Sequence, residues 1–413
     1  KIARVQKRLF RGSPKSILAM MAHAPSIVGV AAAFFTRPIS AFVATRISSS
    51  PLWRSSVSMM STSSSSSSSA DILNSSLELG VSRLETLQKL LSKHGAPGSI
   101  SCSDSNDLVP VSGFVEDLHP HLIPIMKSES SDRYVCALKR ASEGEDEAME
   151  QPLPIVESGV NLPGMRLLAL NSEHLMRRIA CEVDDETDGK GSEIVDLYNE
   201  GLGSGLISEK GLDAPYEIGS VAQLGYGVEK YVLLRVGPFP DLYEAMSMQH
   251  ISKNSEESAL IAAEASNGKF TGFGSTFAFH AKLLSSLPNR GEEARDAARI
   301  CLRLPLSTAG LTREDFAAIS RLANLAEEGD DSTDSAIAKL QIMYQKIRDH
   351  EQDDSQNDSG KTPQQLALDD ANYLLDCAAM EGKQWSAVRA ELGDIYASAG
   401  KDAMAKFVDP KRS

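Results

Sequence analysis

Apolar residues from Asp71 to His94 fall at Ile72, Leu73, Leu77, Leu79, Leu84, Leu87, Leu90 and Leu91, mostly three or four positions apart. That spacing predicts one amphipathic helix, ended by Gly95-Ala-Pro97. Short apolar runs at Tyr134 to Leu138 and Met165 to Leu170 are the best strand candidates, and Tyr231 to Val236 is a third, broken by Gly237-Pro238. Ser172 to Glu182 and Ser192 to Leu202 read as helices, each opened by a serine able to cap free backbone N–H groups. The acidic stretches Glu143 to Glu150 and Asp184 to Ser192 read as solvated loops.

After Pro240 nearly every segment has helical period: 241–253, 256–266, 276–287, 292–304, 314–328, 332–351, 363–380 and 385–399. Short turns between such segments favour antiparallel hairpins. Glu351 to Gly360 has no apolar residue and reads as a mobile acidic linker. The expected architecture is mainly α with an α+β first half. Residues 71–239 form a mixed region with a small sheet, 240–350 a helical region, 351–362 the linker, and 363–408 a closing helical pair.

Charge changes the picture of the first 70 residues. They carry nine Lys or Arg and no acidic residue before Asp71, the asymmetry of a targeting segment. Removing those nine from 42 basic residues leaves 33 against 56 acids, a formal charge of −23 beyond the leader. So negative a surface repels phosphate backbones and lipid headgroups, which argues against nucleic acid and suits basic partners or basic protein faces. Ser26 to Phe35 is apolar but too short to span a bilayer, and no later segment is long enough. Ser40-Ala41-Phe42 and the Ser- and Arg-rich tract to Ser69 resemble the bipartite plastid presequences of diatoms and related algae, which implies delivery to the stroma of a secondary plastid; an Arg- and Ser-rich leader would also serve as a single mitochondrial presequence. Residues 1–70 are therefore expected to be removed. Cys102, Cys136, Cys181, Cys301 and Cys377 lie far apart with no CxxC and read as reduced, packed thiols.

The candidate chemistry is thin. Gly360-Lys361-Thr362 lacks the earlier glycine of a phosphate loop, because Ser355 stands there, and reads as a helix start with Pro363 in its first turn. The glycine groups 201–205, 225–227 and 272–274 lack the third glycine of a dinucleotide fingerprint and read as turns or helix ends. Asp184 to Gly189 resembles the start of a calcium loop, but Val195 stands where a bidentate carboxylate belongs. His119-Pro-His121 reads as a turn with surface histidines, and His174, His250 and His280 as packed or surface residues. No catalytic, cofactor or metal residue is assigned. Two segments mix charges with aromatics in the manner of a protein interface: Gly225 to Tyr243, and Gly291 to Pro305, where Arg295 and Arg299 lie one helical turn apart. The candidate interface is Tyr231, Arg235, Arg295, Arg299, Arg303 and Trp385, although a lone tryptophan opening a helix usually packs in a core.

Glu292 to Pro305, Ala367 to Asp376, Gly382 to Trp385 and Glu391 to Val408 resemble a land-plant plastid family named "protein in chloroplast ATPase biogenesis", also labelled cyclin-delta-like. The likeness is sharpest over the last 120 or so residues and softer back to Gly225. It departs from the family pattern at Leu306-Ser307, where bulky aromatics are usual. The resemblance implies a non-enzymatic stromal assembly factor that transiently binds a subunit of the soluble part of the ATP synthase and helps incorporate its gamma subunit. The alternatives are a stromal enzyme whose site is gathered only by folding, and a helical scaffold for RNA processing, which would need a basic stripe.

Overall fold

The computed structural model describes residues 69–412 apart from 105–106, 112, 142–151, 201, 203–211, 213, 326–331 and 357–360. Of the expected leader only Ser69 and Ala70 fall among them, and the acidic stretch 143–150 lies outside them.

Two helices, α1 (Ser69–Gly80) and α2 (Leu84–His94), stand where periodicity predicts one. Long-range contacts make the break. The Ser82 N–H donates to Ser172 Oγ at 3.1 Å, and Arg83 takes a left-handed φ of 51°. From there its guanidinium donates to both carboxylate oxygens of Glu173, at 2.9 and 2.6 Å, and to the Tyr198 carbonyl at 2.6 Å. A buried bidentate pair outweighs the modest propensity for one more helical turn. At Gly80 a Cβ would run into Leu153, so only glycine admits that side chain.

Five antiparallel strands follow in sequential order: β1 (Leu108–Pro110), β2 (Leu122–Ser128), β3 (Arg133–Leu138), β4 (Ile155–Gly159) and β5 (Arg166–Ala169). Both sheet faces are covered. Ile123, Val135, Ala137, Ile155 and Leu168 join the core containing Leu87, Leu90 and Leu91 of α2. Tyr134, Cys136, Leu138, Val156 and Leu167 pack instead with Phe270 and Phe273. Burial on both sides makes strands apolar without alternation. Hence β3 and β5 match the expected strands, whereas β2, which contains Pro124 and a register shift, and the five-residue β4 gave no clear pattern.

Then come α3 (Ser172–Glu186), α4 (Glu193–Glu200), α5 (Ser220–Leu224) and α6 (Val228–Arg235). The cap of α3 is Asn171, whose Oδ1 accepts from His174 N–H at 2.8 Å, and not Ser172. Ser192 does serve α4, accepting from Ile194 N–H at 3.1 Å. Tyr231 to Arg235 is helix rather than strand, with Val236 just past its end. A six-residue apolar run cannot by itself separate the two, and Tyr231 and Val232 are buried as α6 packs on α3.

The helical half comprises α7 (Pro240–Ser252), α8 (Glu256–Lys269), α9 (Gly274–Ser285), α10 (Gly291–Cys301), α11 (Arg313–Leu322), α12 (Thr333–Gln356), α13 (Pro363–Glu381), α14 (Arg389–Ser398) and α15 (Asp402–Val408). Two 3₁₀ turns, Leu306–Ala309 and Trp385–Ala387, join them. The expected linker at 351–362 begins inside α12, which continues to Gln356 because neither Gly nor Pro interrupts it before Gly360. Thr362 caps α13 with a full capping box to Gln365, and Pro363 sits in the first turn as expected. Thr362→Ala is expected to cost about 1 kcal/mol and to raise hydrogen exchange in the first turn of α13 alone.

The fold is thus mainly helical with a small antiparallel sheet in the N-terminal half. One hydrophobic core runs from Leu73 in α1 to Val408 in α15. Between the halves, Met165 N–H donates to Ser307 carbonyl at 2.7 Å, beside Gly164, where a Cβ would meet the Leu311 backbone at 2.7 Å. No helix among the described residues is long and apolar enough to cross a membrane.

Candidate protein-binding surface

Small residues set the position of α10. Ala294, Ala297, Ala298 and Cys301 are buried, so the helix lies close against α9, and its longer side chains are left on the outer face. Glu292 and Glu293 stand in its first turn and Arg299 in its last, the signs that suit the helix dipole. Arg295 pairs with Glu292 and lies 3.6 Å from Asp296. Arg299 is exposed, and its Nε donates to the Ala323 carbonyl at 3.2 Å beyond the end of α11. Ile300 is 44% exposed, and Arg303 is exposed two residues past the helix end. Arg299 and Arg303 are thus exposed at the C-terminal end of α10, with half-buried Arg295 one turn earlier.

The other candidates lie elsewhere. Arg235 is exposed in the last turn of α6, which packs on α3. Tyr231 of α6 is buried, and Trp385 is buried at 1% exposure. Side chains so enclosed meet no partner unless the fold opens.

Trp385 instead belongs to a clamp that no sequence signal announced. Its Nε1 donates to the Leu162 carbonyl at 3.0 Å, and its ring meets the His119 ring edge-on at 4.6 Å between centroids. His119 and His121 are both buried, not the surface histidines expected from the Pro between them. The His121 backbone N–H donates to His119 Nδ1 at 3.2 Å, and His121 Nε2 is 2.8 Å from the Tyr396 hydroxyl. Burial, with Arg140 and Arg389 nearby, pushes the His121 imidazole down to about 3. Arg389 is 5% exposed and donates to the carbonyls of Glu116 at 2.8 Å, Leu118 at 2.6 Å, Val408 at 2.8 Å and Val115 at 3.4 Å. The clamp thus ties α14 and α15 to the loop entering β2.

A second network closes the Asp184 stretch. Asp184 is buried, accepts from Tyr216 hydroxyl at 2.7 Å and Gly219 N–H at 2.8 Å, and so is no solvated acid. Arg178 holds Asp241 through two bonds of 2.7 and 2.6 Å while lying 4.7 Å from the Phe239 ring centroid. All five cysteines are free and all but Cys377 are buried; burial pushes the Cys102, Cys181 and Cys301 thiols up to about 12. Among the described residues no three His, Cys, Asp or Glu side chains are placed to share a metal. A shallow depression of about 300 Å³ beside α2 is lined by Glu85, Gln88, Lys89, Ser92, Lys93 and Pro110, with neither His nor Cys.

The described residues thus form a helical fold with charged side chains on the outer face of α10 and polar clamps inside. Comparison with known proteins identifies the family. Residues 240–326, from α7 to just past α11, match the PAB middle domain, and residues 340–411 match the PAB C-terminal domain. The chain is 32% identical over 302 residues to Protein IN CHLOROPLAST ATPASE BIOGENESIS, chloroplastic, of Arabidopsis thaliana, spanning 72% of this chain and 80% of that protein. The chain belongs to this family. No solved structure matches it.

Proposed function

We infer that this chain is an assembly factor for the plastid ATP synthase, acting in the stroma by transiently binding an unassembled subunit of the soluble catalytic part, with the gamma subunit as client. The observation that carries this reading is the relationship to a protein named for chloroplast ATPase biogenesis, which extends over 80% of that relative. The chemistry is consistent with it. Transient cover of an unassembled subunit's exposed surface suppresses aggregation, and a strongly charged surface speeds encounter with complementary faces. Arg295, Arg299, Arg303 and Arg235 are the interface candidates that face solvent or its margin.

Depletion of the protein, followed by native-gel quantification of assembled ATP synthase against photosystem content, tests the reading. Loss of assembled enzyme with unassembled gamma subunit accumulating or degraded is expected. Unchanged assembled enzyme would overturn the assignment.

A further inference from the structure

In the helical half most arginines hold a carboxylate within ion-pair distance: Arg290 has Glu293, Arg295 has Glu292, Arg313 has Asp334 and Arg348 has Asp370. In a chain with so large an acid excess this is the expected state. Arg389 departs from it inside the fold, where backbone carbonyls hold it; Arg299, Arg303 and Arg321 depart from it nearer the surface. Arg299 donates only to a backbone carbonyl, that of Ala323, two residues past Arg321. The Arg321 Nη1 is buried without a hydrogen-bond partner among the described residues. Between Arg299 and Arg303 the exposed Ile300 adds an apolar centre.

We propose that Arg299 and Arg303 about Ile300, with Arg321 beside them, seat an acidic amphipathic segment of the client protein. This rests on the reading of the chain as a client-binding factor. The helix dipole explains why cations end α10 and α11, but not an exposed isoleucine among them or a guanidinium N–H left unsatisfied in a partly buried site, which costs free energy until a partner arrives. A planar guanidinium fork matches a carboxylate bidentately. Charges are screened within about 8 Å at physiological salt, so this small basic surface is felt locally against the chain's overall negative field and gives an acidic segment one place to dock. The apolar centre favours an amphipathic peptide over a small anion.

The test uses the full chain and a fluorescent synthetic peptide of about 15 residues with Glu on one helical face and Leu on the other, long enough to present several turns. The peptide is expected to bind, more weakly as salt rises. Arg299→Glu with Arg303→Glu, both at exposed positions, is expected to weaken it by about tenfold or more while circular dichroism shows the fold retained at the assay temperature. Ile300→Ser is expected to weaken it with the salt dependence retained. Four results would overturn the proposal: equal binding by the charge-reversed variant; equal binding of a peptide with Lys in place of Glu; full competition by inorganic phosphate, which would mark a small-anion site; or binding only after Glu327, Glu328, Asp330 and Asp331 are neutralised, which would give the seat to the chain's own acidic stretch. No ATP synthase subunit takes part in this measurement. Its failure and the failure of the depletion experiment are therefore read separately.

Discussion

Arg389→Met is expected to lower stability by on the order of 4 kcal/mol and to loosen α14 and α15 before the rest of the molecule. Arg389 has no carboxylate within ion-pair distance among the described residues; it is held by four backbone carbonyls, three of them in the segment 115–118 and one in Val408. Methionine fills much of the volume and removes the charge, but leaves buried oxygens unpaired at about 1–3 kcal/mol each. Desolvation draws the guanidinium down to about 10, with Glu116, Asp409 and Asp117 opposing, so it remains charged at neutral pH. Lysine would restore the charge without the fork and recover only part of the loss. Chemical denaturation with hydrogen exchange of α14 and α15 decides this. A methionine variant as stable as the parent would show that water replaces the guanidinium and that the clamp is not structural.

Asp376→Asn is expected to act in the opposite direction above neutrality. Asp376 in α13 is 7% exposed, and its Oδ1 accepts from Leu306 N–H at 2.7 Å, fixing the turn that follows α10. Burial pushes its carboxyl from 3.8 up to about 7, the Leu306 bond opposing. A raised carboxyl pKa means that the folded state holds its proton more tightly than the unfolded chain. Its contribution to stability is therefore full below about pH 4, falls as pH rises through 7, and is gone above that, a swing of about 4 kcal/mol. Asparagine keeps the acceptor for Leu306 and removes the titration. The variant is expected to be more stable than the parent at pH 8 by about 1–3 kcal/mol, the gain limited by burying an amide N–H₂, and to lose the slope between pH 4 and 7. Urea titrations at several pH values measure this. Parallel pH profiles for the two proteins would show that Asp376 titrates as an ordinary carboxyl.

The helical half was legible because its signals are local. The apolar period of 241–253 or 363–380, and the Thr362-Pro363 start, act within a turn or two of the chain and survive in any context that buries one face. The helix α10 was legible for the same reason, with Arg295 and Arg299 one turn apart on it. What distinguishes Arg299 and Arg303 from Arg295 was not legible: the carboxylates of Glu292 and Asp296 go to Arg295, and Arg321 joins the site through the packing of α10 on α11.

The sequence by itself determined a mainly helical chain with an acidic surface beyond its basic first 70 residues, a small sheet near Tyr134 to Leu138 and Met165 to Leu170, and the helices from Pro240 onward. Tertiary structure decided the rest, wherever a residue's state depends on partners far away in the chain. Arg83 breaks a helix because Glu173 lies 90 residues on. Tyr231 to Arg235 is helical as α6 packs on α3, and His119 and His121 are buried because Trp385 and Tyr396 close over them. Periodicity reports which face of an element is apolar. It cannot report what meets that face, and for the buried charges of Arg389 and Asp376 the partner sets both the energy and its dependence on pH.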